Sequence, residues 1–142
     1  MGPVLQHTIV FSKNNKLIKS SCILLIGLLF STCLSAQYVP EKVNKKALSL
    51  YEEALNRASD DKFNEGIIIL LEAIRIDPKF VDGYLSLAGM YGELKKYAEA
   101  IEYYEKAIRI DSSYTKDFNL PYSINLAGAG RFEEALRVID HF

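Results

Sequence analysis

The chain has 142 residues, which is enough for one domain. Hydrophobic residues make up 49% and charged residues 25% of the sequence, a globular composition that excludes an intrinsically disordered chain. The net charge of −1 provides no basic surface for nucleic acid, so we expect no nucleic-acid partner. Since the few cysteines and histidines are not spaced as metal ligands, we also expect no metal site and no cofactor.

The first 36 residues show the order of features that is typical of a secretory signal peptide. A lysine-containing segment is followed by an apolar run over 22–30, and the small residue Ala36 suits the position before a cleavage site. The apolar run is about half of the ~20 residues that a membrane-spanning helix needs. The sequence therefore predicts a signal peptide over 1–36, cleavage before Gln37 and an exported protein.

The predicted cleavage site has one alternative. Cys33 ends a Phe-Ser-Thr-Cys motif with the outline of a lipobox, so lipidation at Cys33 is an alternative to cleavage after Ala36. If cleavage follows Ala36, the mature chain contains no cysteine and its fold rests on packing without a disulfide. Residues 37–42 are predicted to form a short linker, because Pro40 opposes an early helix start.

A helical pattern begins at about residue 43 and contains no strand-like alternation of any length. Residues 72–77 match 106–111, and 63–67 match 97–101, both at a shift of 34 residues. A repeat of this length holds two antiparallel helices and their turns. The pattern predicts six helices, over 43–59, 62–76, 79–94, 97–110, 117–129 and 131–141.

These repeats resemble tetratricopeptide (TPR) repeats, which have the same period. With the second repeat beginning at Val81, the large, small and aromatic positions of the TPR signature are filled in order. The matching residues are Tyr84, Leu87, Ala88, Tyr91, Ala100, Tyr104 and Ala107. The resemblance implies an all-α TPR α-solenoid over 43–142, with repeats at about 47–80, 81–114 and 116–142, of which the last is truncated.

The residue types at the signature positions suit close packing between helices. Small side chains at Ala54, Ala88 and Ala100 let neighbouring helices approach each other. We expect the rings of Tyr84, Tyr91 and Tyr104 to fill the core between repeats.

Turn residues separate the predicted helices. We expect Pro78 in the first turn of the third helix, where proline is tolerated, and Asp111 as a cap in the equivalent turn one repeat later. Pro121 is expected in the first turn of the fifth helix. The segment Gly128-Ala129-Gly130 is expected to end that helix, since glycine accepts the left-handed conformation.

The sequence contains no motif that would support catalysis. Neither a dinucleotide fingerprint, a phosphate-binding loop nor a nucleophile elbow is present. The carboxylates are spread over helix faces and turns, where Glu102 and Lys106 are expected to form a modest surface ion pair. We therefore predict a non-catalytic protein.

The TPR resemblance implies a binding surface. In TPR arrays the first helix of each repeat lines a concave groove, and inner-face positions recur in every repeat. Carried onto this chain, the predicted protein-binding residues are Tyr51, Leu55, Asp82, Leu85, Gly89, Leu120 and Ile124. The groove is apolar and bare at Gly89 and Gly92, which suits a docked helix or extended segment. The alternative is that part of this face packs against a further domain or against the linker before residue 43.

Residues 84–91 and 120–128 are similar to the N-terminal TPR region of Bacteroidetes OmpA-like envelope proteins. In those proteins a signal peptide and TPRs precede a β-propeller and a peptidoglycan-binding domain, neither of which is in this sequence. The resemblance implies a scaffold or adaptor in the periplasm or at the outer membrane, with an envelope or secretion-complex protein as its partner. Two alternatives remain: the N-terminal fragment of a larger protein, and a homo-oligomer that pairs through its final repeat.

Overall fold

Six α-helices follow one another in the computed structural model, which describes residues 37–140. They are α1 (Lys45–Ser59), α2 (Phe63–Ile76), α3 (Val81–Glu93), α4 (Tyr97–Ile110), α5 (Asn119–Gly128) and α6 (Phe132–Asp140). Short 3-10 helices lie at Pro40–Lys42 and Lys116–Phe118. No strand occurs within 37–140, so the predicted all-α helical pattern is confirmed there. The predicted signal peptide and Cys33 lie outside the described residues.

The first helix of each repeat begins two residues later than predicted. These helices start at Lys45, Val81 and Asn119, where the sequence pattern placed them at 43, 79 and 117. The reason is local in each case: Asn44 caps α1, and a turn or a 3-10 helix occupies the residues before α3 and α5. Consequently Pro78 lies in the turn before α3 and not in its first helical turn, which corrects the prediction.

The turn inside each repeat contains one residue in the left-handed conformation. Its φ is 60° at Asp61, 56° at Lys95 and 79° at Gly130. The predicted helix end within 128–130 is confirmed, and Gly130 is its left-handed residue. The next residue donates its N–H to a carbonyl five residues back, as Arg131 does to Leu126 at 2.8 Å. This bond closes the helix end, as in other left-handed helix caps.

The core forms where consecutive helices pack, and small residues allow the close approach. Ala54, Ala88 and Ala100 are fully buried. A Cβ atom added at Gly66 of α2 would lie 2.9 Å from Sδ of Met90 and 3.0 Å from the carbonyl oxygen of Ala54. A side chain at this position would require Met90 and the backbone of α1 to shift, so glycine allows the close approach.

The three tyrosines predicted to fill the core behave differently. Tyr104 is buried, as expected, but Tyr84 and Tyr91 are only half-buried. Both pack beside Tyr103 of α4, at ring-centroid distances of 6.4 Å and 5.4 Å. An amphipathic ring is stable with one edge packed and its hydroxyl at the surface, which explains their place at the margin of the core. The hydroxyl of Tyr84 donates to the carbonyl oxygen of Pro78 at 3.3 Å.

The surface of α4 carries the predicted ion pair. Nζ of Lys106 lies 2.6 Å from Oε1 of Glu102, and the same ammonium lies 4.5 Å from the ring centroid of Tyr103. Both interactions lie at the surface, where an exposed pair contributes only a few tenths of a kcal/mol.

Among the described residues, no helix is both long enough and apolar enough to span a membrane.

Candidate protein-binding groove

The seven predicted groove residues lie on α1, α3 and α5, which are the first helices of the three repeats. Tyr51 and Leu55 lie on α1, Asp82, Leu85 and Gly89 on α3, and Leu120 and Ile124 on α5. Their exposure divides them into an open set and a covered set.

The open set forms what we call the open strip: Leu55, Gly89, Leu120 and Ile124. Leu120 and Ile124 are 56% and 60% exposed, and Leu55 is also exposed. No atom lies within 4 Å of the position that a Cβ of Gly89 would occupy, so α3 is bare at this point. Water-exposed aliphatic side chains around a bare backbone leave apolar surface available to a partner.

Leu85 belongs to the covered set. Its side chain is only 4% exposed and packs in a cluster with Val81, Ala88 and Tyr104. The rings of Tyr38, Tyr114, Phe118 and Tyr122, among others, pack against this cluster. The repeat position of Leu85 is as predicted, but its side chain supports the fold and is not presented at the surface.

Gly92 is not bare, which corrects a second expectation about the groove. A Cβ at this position would lie 2.8 Å from Oδ1 of Asn125, which projects from α5. Asn125 is buried and donates its side-chain N–H to the carbonyl oxygen of Pro121 at 2.8 Å. The space above Gly92 is therefore used for contact between α3 and α5.

Asp82 is the centre of a polar and aromatic cluster. Its Oδ2 accepts a 2.7 Å hydrogen bond from the hydroxyl of Tyr38, and its Oδ1 accepts one of 2.8 Å from the hydroxyl of Tyr114. The two tyrosine rings meet edge to face, with centroids 4.8 Å apart and an interplanar angle of 77°. Hydrogen bonds to an ionised acceptor are stronger than neutral ones, so both phenols are well held.

The segment 37–42, which we call the N-terminal arm, is joined to the groove at a second point. The backbone N–H of Tyr38 donates to Oδ2 of Asp111 at 2.8 Å, while Oδ1 of Asp111 accepts the N–H groups of Ser113 and Tyr114 at 2.9 Å. Asp111 thus caps its own turn, as predicted, and also holds the arm. These contacts agree with the alternative that part of this face packs against the linker before residue 43.

The environment of this cluster shifts several pKa values. Burial, together with the hydrogen bond to Asp82, raises the pKa of Tyr114 to about 12 and raises the pKa of Tyr38 as well. Hydrogen bonds from the backbone of Tyr114 and Tyr38 lower the pKa of Asp111. The phenols therefore remain protonated donors and Asp111 an ionised acceptor at neutral pH.

Tyr51 lies at the edge of the same cluster. Its ring packs against Phe80 with centroids 5.1 Å apart, and it is half-buried. No group of His, Cys, Asp and Glu side chains within 37–140 is arranged to hold a metal ion.

Residues 81–114 match the family model of the tetratricopeptide repeat, a span that contains α3, α4 and the turn after them. Among curated proteins, no relative matches the sequence.

Many solved structures share the fold. The second TPR of Spaghetti (RPAP3), bound to an HSP90 peptide, has a TM-score of 0.64 at 21% identity, covering 68% of this chain and 88% of that one.

Two other structures extend the comparison. MamA has a TM-score of 0.63 at 24% identity, covering 67% of this chain and 51% of that one, so this chain spans about half of MamA. The N-terminal domain of stress-induced protein-1 from C. elegans has a TM-score of 0.62 at 18% identity, with coverage of 67% and 80%. The described chain is therefore a TPR-type α-solenoid, the fold of a class of protein–protein interaction modules. Within it, 81–114 is a tetratricopeptide repeat.

Proposed function

We propose that the chain is a non-catalytic adaptor that binds an apolar segment of another protein along the open strip. The observation that carries this proposal is the exposure of Leu55, Leu120 and Ile124 on the first helices of repeats one and three, beside the bare backbone at Gly89. A helix or extended segment can cover these side chains and remove them from water. Apolar burial of this kind contributes roughly 25 cal/mol per Å².

A neighbour with the same fold supports peptide binding, although not its apolar character. The solved Spaghetti TPR is bound to an HSP90 peptide. The Lys/Asn/Arg set that clamps a carboxylate in chaperone-binding TPRs is not matched in this chain, so we propose a partner recognised by apolar side chains. An apolar face on a helix, with anchors one turn apart, fits such a surface.

We further propose that the adaptor works in the bacterial cell envelope, in the periplasm or at the outer membrane. The predicted signal peptide over 1–36 and the resemblance to the TPR region of OmpA-like envelope proteins support this location. The partner is then an envelope or secretion-complex protein. Lipidation at Cys33 would attach the adaptor to a membrane, whereas cleavage after Ala36 would release it; the mass of the exported chain distinguishes the two.

Capture from an envelope extract tests the adaptor function. Leu55→Glu and Ile124→Glu place a charge on the open strip and should each lower capture by at least about tenfold, since an unpaired charge opposes apolar docking. Ile68→Glu is the matched control, because Ile68 is 69% exposed, more than either groove residue, and lies on α2, outside the groove. Leu85→Glu is unsuitable, since that residue is buried. Capture that survives both groove substitutions would exclude the open strip as the binding surface.

Self-association is a second candidate function, and α6 favours it. Phe132 and Leu136 of α6 are 64% and 63% exposed. Ile101, which occupies the position of Leu136 one repeat earlier, is only 3% exposed and packs with Leu126 of α5. In α6 the same face has no helix against it among the described residues. A second copy of the chain could supply that helix.

Light scattering coupled to size-exclusion chromatography tests this second candidate. A dimer that dissociates on Leu136→Glu, but not on Ile68→Glu, would support pairing through α6. A monomer at all concentrations would exclude it and would favour a monomeric adaptor.

A further inference from the structure

The N-terminal arm occupies the groove in the way that a bound peptide would. Val39 is extended, with φ −125° and ψ 102°, and the arm is held through a main-chain N–H and a side-chain hydroxyl of Tyr38. Main-chain bonds combined with one side chain in a specific site are the usual elements of extended-peptide recognition.

Repeat symmetry shows that the bond at Asp111 is not part of the repeat itself. One repeat earlier, Oδ2 of Asp77 accepts the N–H of Asn44 at 3.0 Å. The residue equivalent to Asn44 in the second repeat is Pro78, which has no N–H to donate. The Oδ2 atom of Asp111 is therefore available, and the N–H of Tyr38 takes the place of the missing donor.

The site at Asp82 is similarly divided between the solenoid and the arm. Tyr114 satisfies Oδ1 from within the second repeat, and Oδ2 accepts the hydroxyl of Tyr38. The edge-to-face contact with Tyr114 orients the incoming ring toward this oxygen. The ring, the hydroxyl and the main-chain N–H of Tyr38 each have a partner in the solenoid. Together these partners select a tyrosyl residue over phenylalanine or an aliphatic residue.

We propose that Asp82, Asp111 and Tyr114 form a tyrosyl-binding subsite of the groove, and that Tyr38 occupies it as an intramolecular competitor of a partner segment with an extended, tyrosine-containing stretch. This proposal rests on the proposed adaptor function. It adds that the partner carries a tyrosine, which binds beside the open strip. Because the arm is covalently attached, its effective concentration is on the order of millimolar. A partner therefore binds with full affinity only when the arm is displaced.

The probe is a labelled synthetic peptide with the sequence of residues 37–42, Gln-Tyr-Val-Pro-Glu-Lys, added to the full chain and followed by fluorescence anisotropy. Tyr38→Ala empties the subsite of its internal occupant. We expect this variant to bind the peptide at least about tenfold more tightly than the wild-type chain, whose subsite is already filled. A peptide with phenylalanine in place of tyrosine should bind several-fold more weakly, since it lacks the hydroxyl that Asp82 accepts.

Further variants show where the peptide binds. Asp82→Ala in the Tyr38→Ala chain should abolish peptide binding. If that double variant does not fold, as judged by circular dichroism, Tyr114→Phe in the same background should weaken binding several-fold. It removes the hydroxyl that holds the Asp82 carboxylate in place and leaves the ring. Equal affinity for wild type and Tyr38→Ala, no binding to Tyr38→Ala, or indifference to the peptide hydroxyl would each overturn the proposal.

The experiment separates this proposal from the adaptor function. The peptide probe does not use the open strip, so Leu55→Glu and Ile124→Glu in the Tyr38→Ala background should leave its affinity unchanged. Loss of envelope capture in those variants together with retained peptide binding would support both proposals. Peptide binding in the Tyr38→Ala chain without capture of any partner would leave the subsite intact and contradict the adaptor function alone.

Discussion

Gly92 of α3 and Asn125 of α5 meet so closely that a Cβ on Gly92 would lie 2.8 Å from Oδ1 of Asn125. Gly89, one turn earlier on the same helix, has no atom within 4 Å of its Cβ position. Two glycines that look alike in the sequence therefore have different roles. Gly92 allows contact between repeats, and Gly89 keeps the open strip bare.

The two glycines should respond in opposite ways to alanine. Gly89→Ala should raise the free energy of unfolding by about 0.5–1 kcal/mol, because alanine loses less backbone entropy in a helix. Gly92→Ala should be about 1–3 kcal/mol less stable than Gly89→Ala, since Asn125 must move and give up its bond to Pro121. Urea unfolding followed by circular dichroism measures both, and equal stability of the two variants would contradict this prediction.

Lys95 adopts a left-handed conformation, with φ 56°, in the turn between α3 and α4. A residue with a Cβ costs roughly 1–2 kcal/mol in this conformation, whereas glycine does not. Lys95→Gly should therefore be about 1 kcal/mol more stable than Lys95→Ala, which removes the same side chain. The midpoints of thermal unfolding test this order. A more stable alanine variant would mean that the turn can relax to a negative φ.

Leu70 and Leu71 are adjacent on α2 but differ in burial, since Leu70 is fully buried in the core and Leu71 is exposed. Leu70→Ala should lower the free energy of unfolding by about 2–5 kcal/mol, because it removes buried methyl groups and leaves a cavity. Leu71→Ala is the neighbouring control and should cost clearly less. Chemical denaturation of both variants tests which face of α2 is buried. Similar losses of unfolding free energy in the two variants would contradict the burial of Leu70 and the exposure of Leu71.

Tyr38 and Tyr114 make stability depend on alkaline pH. The pKa of each is raised above the ordinary value of 10.0, that of Tyr114 to about 12, so the folded state holds phenol protons more tightly than the unfolded state. This contribution is fully present below pH 10 and is lost as the pH rises through the folded pKa values. Tyr38→Phe should therefore show a shallower alkaline loss of stability than wild type. Unfolding free energies at neutral pH and above pH 10 provide the comparison.

Local sequence patterns predicted much of the fold. The six helices, the helix end within 128–130 and the buried alanines Ala54, Ala88 and Ala100 were all predicted from the sequence. These features depend on residues within one or two helical turns, or on equivalence at a shift of 34 residues, and both can be read along the chain. The binding roles of the groove residues, including Leu55 and Ile124, stay predictions.

The sequence by itself determined the helices, their repeat and the helix faces that meet, because the spacing of small and apolar residues is set within each repeat. Only the tertiary structure decided that Leu85 is covered, that Gly92 faces Asn125 and that Tyr38 is bound between Asp82 and Asp111. Tyr38 and Asp111 are 73 residues apart, and no periodicity connects them. Their contact exists because the solenoid brings the end of the second repeat next to the N-terminal arm, where a proline has left a carboxylate oxygen without its repeat partner.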